Sequence, residues 1–558
     1  MKAIILAAIA AAAVACLMPV VAQPTNGIRN PNSAGPAGAI VHAPAGAVQG
    51  EAIGGLSIFK GIPYAMPPVG PRRWRPPVSI PAWRGVRDAT NFGPACYQPP
   101  NDPNSVYAWK PMAMSEDCLS LNIWLPAKAS RAPVFVWIHG GALLTGSSAD
   151  TLYDGTALAN LGLVVVSINY RLGALGYLAH PGLSGESPRG ISGNYGLLDQ
   201  IAALQWVQNN IAAFGGNPSN VTIAGESAGA LSVMYLMASP PARGLFAKAI
   251  SESAYMISAP ELREARFGSV SAEAMGVALA EKLAAKDLAA LRAVDAAHLT
   301  SVAAQGGALP SGTVDGYLLP RQLVEVFDRG EQAKVPLLVG FNSGEIRSLR
   351  VLTPVVPADA SVYESLIRDR YADMSNAFLK LYPPTDIEQS VLATTRDAMY
   401  GWTAERLAIK QATLGQNAFL YFFDHGYPSA EALGLHGFHA SELPYVFGSA
   451  GGTPPRWPKV PVTPEELNMS AAMSAYWAAF ARVGVPHVRG QPQWQPYGSD
   501  KAYMAFTDVA TPGTQLLPGM YEFNEQIVCR RRANGGIAWN WNVGVLSPPL
   551  PPQGSECR

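Results

Sequence analysis

VTIAGESAG, residues 221–229, is the stretch of this sequence that decides the fold. A short apolar strand runs into a G-x-S-x-G sequence, and a helix-forming run at 228–237 follows at once. Gly225 and Gly229 have no side chains, so the strand and the helix can approach closely around Ser227. The pattern predicts a nucleophile elbow, which presents the serine hydroxyl at the carboxyl edge of a sheet above a helix N-terminus. A glycine-rich turn with a solvent-exposed serine is the alternative.

Apolar runs and helical repeats alternate on both sides of this turn. Residues 132–138 are continuously apolar, as expected of a strand buried on both faces, whereas residues 197–214 have helical spacing and stop at Gly215. Such alternation predicts an α/β fold with a large, mostly parallel sheet that helices cover on both faces. Further strands are predicted at 121–125, 163–168, 335–339 and 419–423, an antiparallel ribbon at 39–65, and helical insertions at 259–330 and 352–415.

The composition excludes some classes of function. The chain has 558 residues and no net charge, which gives no electrostatic footprint for nucleic acid or for an anionic membrane. No cluster of metal ligands and no nucleotide-binding loop occurs, so neither a metal nor a cofactor is predicted. No repeat or low-complexity linker divides the chain, so one domain over residues 23–558 is favoured over two. The oligomeric state stays open.

The N-terminus has the pattern of an export signal. An apolar run at 3–22 follows Lys2 and gives way to polar sequence rich in Pro and Asn. This pattern is typical of a cleaved signal peptide over residues 1–22 rather than of a stable membrane span. We therefore expect a secreted or periplasmic protein that begins near Gln23, after Ala22. A lipid anchor on Cys16 is the less favoured alternative.

The cysteines agree with export. Four remain after the signal peptide is removed, and four cysteines can pair in three ways. Local pairing closes two short loops, and we therefore expect the bonds Cys96–Cys118 and Cys529–Cys557. Free thiols in a reducing compartment are the alternative.

A serine hydroxyl is a poor nucleophile at neutral pH, so it needs a general base, an acid that orients the base, and donors for an oxyanion. The donors are predicted first. The sequence WIHGGA at 137–142 follows the apolar run directly, and its glycines let backbone N–H groups turn inward without side chains in the way. We expect the N–H groups of Gly140, Gly141 and Ala228 to bind the oxyanion.

The base and the acid are sought downstream. His439 is the strongest of the eight histidines, because it follows the predicted strand at 419–423, where the last member of a Ser, acid, His order belongs. The acid should lie between the serine and the histidine, after a late strand. Glu345 stands just past such a strand, and its position favours it over Asp315 and Asp397.

Seven motifs are shared with one family: FKGIPYA at 59–65, SEDCLSLNIW at 115–124, NYRLGALGYL at 169–178, GNYGLLDQ at 193–200, FGGNPSNVTIAGESAGA at 214–230, GFNSGE at 340–345 and HASELPYVFG at 439–448. Together they resemble the type-B carboxylesterases, in the cholinesterase-like branch of the α/β-hydrolases. The resemblance runs from about residue 41 to about residue 506.

The resemblance implies both fold and function. It implies an α/β-hydrolase fold whose helical insertions form a substrate gorge, and an acyl-enzyme mechanism on small-to-medium carboxylic esters. It implies the triad Ser227, Glu345 and His439, and it supports Cys96–Cys118 as the first disulfide of the family. A small-molecule ester is therefore the expected partner, and no cofactor is implied.

Some charged residues in these motifs have structural or open roles. Glu116 is expected to pair with Arg73, and Arg171 with Asp199, as buried ion pairs that hold loops in place. Glu226, beside the serine, is a candidate for tuning the site electrostatically.

The chain departs from the family at several positions. Ala440 follows the histidine where the family often has Gly, and the sequence after Cys529 has no family counterpart. Arg347 and Arg350 follow the acid, and we hypothesise that one of them binds a substrate carboxylate.

Two other functions compete with ester hydrolysis. A serine amidase or peptidase on the same fold is one of them, and a catalytically silent interaction protein is the other. Silent relatives usually lack the serine or the histidine, and this chain has both.

Overall fold

The structure is a computed structural model that describes residues 37–109, 112–126, 128–307, 309–540 and 543–557. The predicted signal peptide over residues 1–22 and Cys16 lie outside these residues. The strands are, in chain order, β1 (Ala37–Ala43), β2 (Gly46–Ile53), β3 (Leu56–Pro63), β4 (Val86–Asp88), β5 (Ala95–Cys96), β6 (Met114–Ser115), β7 (Ser120–Pro126), β8 (Ala132–Ile138), β9 (Val164–Ile168), β10 (Gly216–Glu226), β11 (Lys248–Glu252), β12 (Leu337–Asn342), β13 (Ala418–Phe423), β14 (Ala502–Phe506) and β15 (Ala510–Thr514).

One large sheet forms the centre of the fold. Its middle consists of parallel strands in the order β9-β8-β10-β11-β12-β13-β14. The predicted antiparallel ribbon is β1-β2-β3, which joins the sheet through β7, and β15 closes the opposite edge. This arrangement is the α/β-hydrolase fold, with β10 near the middle of the sheet.

Strand β8 shows why the core strands are apolar along their whole length. Val134, Val136 and Ile138 pack into the hydrophobic cluster on one face of the sheet. Phe135 and Trp137 pack into a second cluster on the other face. Successive side chains of a strand point to opposite faces, so a sheet with helices on both faces needs a continuous apolar run.

Helices cover both faces of the sheet and form the insertions between strands. The insertion predicted at 259–330 contains four helices, from α6 (Ala272–Lys282) to α9 (Leu323–Asp328), and the one predicted at 352–415 contains four more, from α10 (Ala360–Tyr371) to α13 (Trp402–Thr413). A π-helical turn, Asp397–Gly401, separates α12 from α13. The helices are α1 (Thr156–Asn160), α2 (Gly173–Tyr177), α3 (Pro181–Glu186), α4 (Tyr195–Asn210), α5 (Ala228–Ala238), α6 (Ala272–Lys282), α7 (Leu288–Ala293), α8 (Ala296–Gln305), α9 (Leu323–Asp328), α10 (Ala360–Tyr371), α11 (Ser375–Leu381), α12 (Ile387–Arg396), α13 (Trp402–Thr413), α14 (Pro428–Glu431), α15 (Leu443–Val446), α16 (Pro464–Val483) and α17 (Met520–Asn534).

Two disulfide bonds hold loops outside the sheet. Cys96–Cys118 closes a loop before β7, and Cys529–Cys557 ties α17 to the C-terminal segment. These are the pairs that local pairing predicts. Among the described residues, no helix has the length and the apolar character that crossing a membrane requires.

The two expected ion pairs are present. Both oxygens of the Glu116 carboxylate accept hydrogen bonds from Arg73. Arg171 donates two hydrogen bonds of 2.7 Å to Asp199, and both side chains are almost completely buried. Arg171 thereby fixes the loop after β9 to helix α4.

We predict that Asp199→Ala lowers the free energy of unfolding by about 3–5 kcal/mol, because it leaves the Arg171 guanidinium buried without its counter-charge. Urea denaturation measures this. The matched control is Glu388→Ala, which removes a pair with Arg350 that is about half exposed and should cost less than about 1 kcal/mol. Equal losses of unfolding free energy in the two variants would show that burial does not determine how much these ion pairs contribute to stability.

Candidate active site

The predicted elbow forms at the junction of β10 and α5. Ser227 stands between them with φ 56° and ψ −121°, a conformation that non-glycine residues rarely adopt. A side chain on Gly229 could not be accommodated, because its Cβ would lie 2.1 Å from the carbonyl oxygen of Ile138. Strain of about 1–3 kcal/mol is typical of such backbone at functional sites. Ser227 is partly exposed, whereas its neighbours on both sides are buried.

The predicted oxyanion loop lies against the elbow. A Cβ on Gly140 would lie 3.3 Å from the Cβ of Ser227 and 2.8 Å from the carbonyl oxygen of Glu226, so only glycine fits there. The next residues, Gly141 and two apolar residues after it, all have positive φ, which turns the backbone sharply. Within the described residues, no hydrogen bond uses the backbone N–H of Gly140, Gly141 or Ala228. These three groups are therefore free to bind an oxyanion.

His139 begins this loop, and its side chain supports it. Its Nδ1 lies 2.9 Å from the carbonyl oxygen of Gly140, and its ring stacks on Tyr170 at 4.6 Å. Burial lowers the pKa of His139 to about 4, so the imidazole is neutral at neutral pH. His139 therefore stabilises the loop without adding charge to it.

His439 and Glu345 lie together behind the elbow. Nδ1 of His439 is hydrogen-bonded to Oε2 of Glu345, and Oε1 of Glu345 accepts the backbone N–H of Asn342 at 2.8 Å. Glu345 is completely buried just past β12. The backbone N–H of Gly344 also donates to the carbonyl oxygen of Gly437 at 2.7 Å, which fixes the loop of the acid to the loop of the histidine.

The two competing carboxylates serve other loops. Asp315 accepts backbone N–H groups of the three residues 317–319 and a hydrogen bond from Asn194. Asp397 contacts Arg396 and the hydroxyl of Tyr382. Each has partners of its own, and neither is paired with His439.

Nε2 of His439 faces Glu226 rather than the serine. Glu226 Oε1 lies 3.0 Å from it, although the alignment is not that of a hydrogen bond. Within the described residues, no hydrogen bond joins Ser227 to His439. Ser227 follows Glu226 directly in the chain, so the residue that faces Nε2 of His439 is the immediate neighbour of the elbow serine.

Glu226 belongs to a group of buried carboxyl groups that the sequence analysis missed in part. Glu252 stands directly opposite Glu226 in the parallel pair β10 and β11, and it accepts a hydrogen bond of 3.0 Å from Trp477 Nε1. Glu442 is bonded to Asn342 Nδ2. Burial first, and then the neighbouring carboxylates, raise the pKa of both Glu226 and Glu442. In the sequence, Glu252 could have been found as the glutamate that ends the short run KAISE at 248–252.

We predict that Glu252→Gln stabilises the protein at alkaline pH. Burial raises the pKa of Glu252 from 4.5 to about 8, so the folded protein retains a proton that the unfolded chain releases. Wild-type stability should therefore fall by up to about 1.4 kcal/mol per pH unit between these two values, and the variant lacks this loss. Thermal unfolding at pH 5 and pH 8 tests this. A difference between variant and wild type that is the same at both values of pH contradicts it.

The hypothesis for Arg347 and Arg350 finds no support in their positions. Arg347 donates to the carbonyl oxygen of Gly434 and to the side chain of Gln389. Arg350 pairs with Glu388 at 2.7 Å, and both side chains are about half exposed. Their guanidinium groups bind the protein surface at α12, and neither contacts Ser227 or His439. The stabilisation of surface loops explains this pair better than substrate recognition does.

Comparison with known proteins places this geometry in a family. The profile of the carboxylesterase family matches residues 37–517. The chain belongs to the carboxylesterase family. It is a carboxylic ester hydrolase, and the resemblance found in its motifs is confirmed.

Named relatives support the same assignment. The fumonisin B1 esterase of Sphingopyxis macrogoltabida is 36% identical over 492 residues, which cover 85% of this carboxylesterase and 87% of the relative. The para-nitrobenzyl esterase of Bacillus subtilis is 35% identical over 465 residues, with 81% and 91% covered. A crystal structure of the Geobacillus stearothermophilus carboxylesterase superposes with a TM-score of 0.75 at 34% identity, covering 87% of this chain and 99% of that one.

Proposed function

We propose that this carboxylesterase is an exported serine hydrolase that acts through Ser227, His439 and Glu345. The observation that carries the proposal is the bond between His439 Nδ1 and the buried Glu345 carboxylate, directly behind the elbow that presents Ser227. The disulfide bonds support export. Residues 1–22 are proposed as the signal peptide, and residues 23–558 as a single domain.

The chemistry follows from this arrangement. An ester carbonyl enters beside the elbow, and Ser227 replaces Glu226 as the partner of Nε2. Nε2 takes the serine proton while Oγ attacks the carbonyl carbon, and the N–H groups of Gly140, Gly141 and Ala228 stabilise the oxyanion. The imidazolium returns its proton to the leaving alcohol, which gives an acyl-enzyme. Water activated by the same histidine then releases the acid.

Glu345 has two roles in this scheme. It fixes the tautomer of His439 that exposes an unprotonated Nε2, and it stabilises the imidazolium that forms after proton transfer. Its own orientation is held by the backbone N–H of Asn342. The substrate class we propose is small-to-medium carboxylic esters, since the relatives carry the names of structurally different esters.

A matched pair of substrates tests this function against amide hydrolysis. We expect p-nitrophenyl butyrate to be hydrolysed rapidly and the corresponding p-nitroanilide to give no measurable rate. An anilide rate comparable to the ester rate would favour the amidase. Absence of both rates in a folded protein would favour the interaction protein.

A further inference from the structure

The loop closed by Cys96–Cys118 touches both halves of the candidate site. Near its start, Gln98 exchanges two hydrogen bonds of 2.9 Å with the backbone of Gly146, at the end of the oxyanion loop. Further along, Tyr107 reaches the histidine loop. Its hydroxyl donates to the backbone carbonyl oxygen of His439 at 2.9 Å.

The Tyr107 hydroxyl also meets the loop of the acid. Its oxygen lies 2.7 Å from Oγ of Ser348, three residues after Glu345. A phenol has one hydrogen to donate, so if Tyr107 donates to His439, Ser348 is the donor to Tyr107. Burial holds the pKa of Tyr107 well above its ordinary value, and the hydroxyl therefore keeps its proton. One hydroxyl thus joins the disulfide loop, the acid loop and the histidine loop.

The ring of Tyr107 is fixed independently of these hydrogen bonds. It packs edge-on against Trp457 with ring centroids 5.8 Å apart, and edge-on against His439 at 6.4 Å. Tyr107 therefore supports the imidazole both through its backbone and through ring packing. A phenylalanine at position 107 would keep the packing and lose only the hydrogen bonds.

We propose that Tyr107 is a positioning residue for the catalytic histidine, through which the Cys96–Cys118 disulfide acts on turnover. Tyr107 does not need to contact the reacting atoms. Its bond to the carbonyl oxygen of His439 restricts the backbone that carries the imidazole, and the disulfide restricts the loop that carries Tyr107. The inference rests on the proposed role of His439 as general base.

The first test is Tyr107→Phe with p-nitrophenyl butyrate as substrate. We expect kcat to fall about tenfold and KM to change by less than about twofold, because orientation of the base is lost while the substrate site is kept. Ser348→Ala removes the donor to Tyr107 but keeps the bond to His439, so its kcat should fall less. A kcat of Tyr107→Phe within twofold of wild type, or a loss confined to KM, overturns the proposal.

A matched control separates positioning from general stability. Tyr363 donates its hydroxyl to the carbonyl oxygen of Tyr382 at 3.0 Å in a different hydrophobic cluster. Tyr363→Phe therefore loses a comparable bond and should keep the wild-type kcat. An equal fall of kcat in both tyrosine variants would mean that the loss is structural, and the proposal would be wrong.

A double-mutant cycle tests the link to the disulfide. In a Cys96→Ser, Cys118→Ser background, the loop no longer holds Tyr107 in place, and we expect the tenfold effect of Tyr107→Phe to shrink below about threefold. An undiminished effect in that background contradicts the link. Ser227→Ala, assayed in parallel, distinguishes the two levels of the argument: if it remains active, the proposed function fails whatever Tyr107 does. If it is inactive while Tyr107→Phe is normal, only the positioning role fails.

Discussion

Ser227→Ala should lose roughly five to six orders of magnitude in kcat, the size expected when the nucleophile of a serine triad is removed. The elbow holds Ser227 in a conformation that brings its side chain beside Gly140, and Glu345 holds His439. Without the serine hydroxyl, His439 and Glu345 have no nucleophile to activate. Steady-state hydrolysis of p-nitrophenyl butyrate measures the loss, and circular dichroism checks that the variant is folded.

Ser253→Ala is the control for this variant. Ser253 also has positive φ, but it is completely buried, at the end of the neighbouring strand β11, and no role is proposed for its hydroxyl. It should retain most of its activity. Loss of activity in Ser253→Ala but not in Ser227→Ala would place the nucleophile at the end of β11 instead of β10 and would contradict the prediction.

The second large effect concerns the acid. Glu345→Gln should keep the fold and lower kcat by roughly three to four orders of magnitude, as occurs when the acid of a triad becomes its amide. An amide can still contact Nδ1 of His439, but it can donate a hydrogen there and favour the wrong tautomer. It also supplies no charge to stabilise the imidazolium.

Asp315→Asn and Asp397→Asn are the matched controls. Both carboxylates are buried or nearly so, but their partners are the backbone of residues 317–319 and the side chains of Arg396 and Tyr382. Each should cost far less in kcat than the change at Glu345. Near wild-type activity in folded Glu345→Gln would mean that another carboxylate orients the histidine.

The central strands could be predicted because burial on both faces leaves a local signal. Strand β8 has the bounds of its apolar run, 132–138. Strand β11 was missed because KAISE is short and has charged residues at both ends. Its burial comes from β10 and β12 on either side, and Lys248 is bonded to Asn220, which no local pattern reveals.

Some residues of the candidate site could likewise be predicted from the sequence, and others could not. Ser227 stands at a predicted strand-to-helix turn, Glu345 stands just past a predicted strand, and His439 follows the last predicted strand in a shared motif, so their positions follow from local sequence and motif order. Glu442 lies in the same motif as His439, but its bond to Asn342 joins residues 100 positions apart, and Tyr107 comes from a loop that is distant in sequence from His439. Only the tertiary structure shows these contacts.

The backbone conformation of the histidine loop also could not be predicted from the sequence. Ala440 has φ 66°, in the region that favours glycine, which explains why the family often has Gly at this position. The sequence shows the departure from the family pattern, but it does not show that the residue is in a left-handed conformation.

The central claim is that Ser227 is the nucleophile that becomes acylated during turnover. An organophosphate that reacts with activated serines tests it most directly, because it forms a stable adduct at the attacking oxygen. After complete inhibition, peptide mass spectrometry should find one phosphoryl group, on the peptide that contains Ser227, and none in the Ser227→Ala variant. An adduct on another serine with Ser227 unmodified would contradict the account.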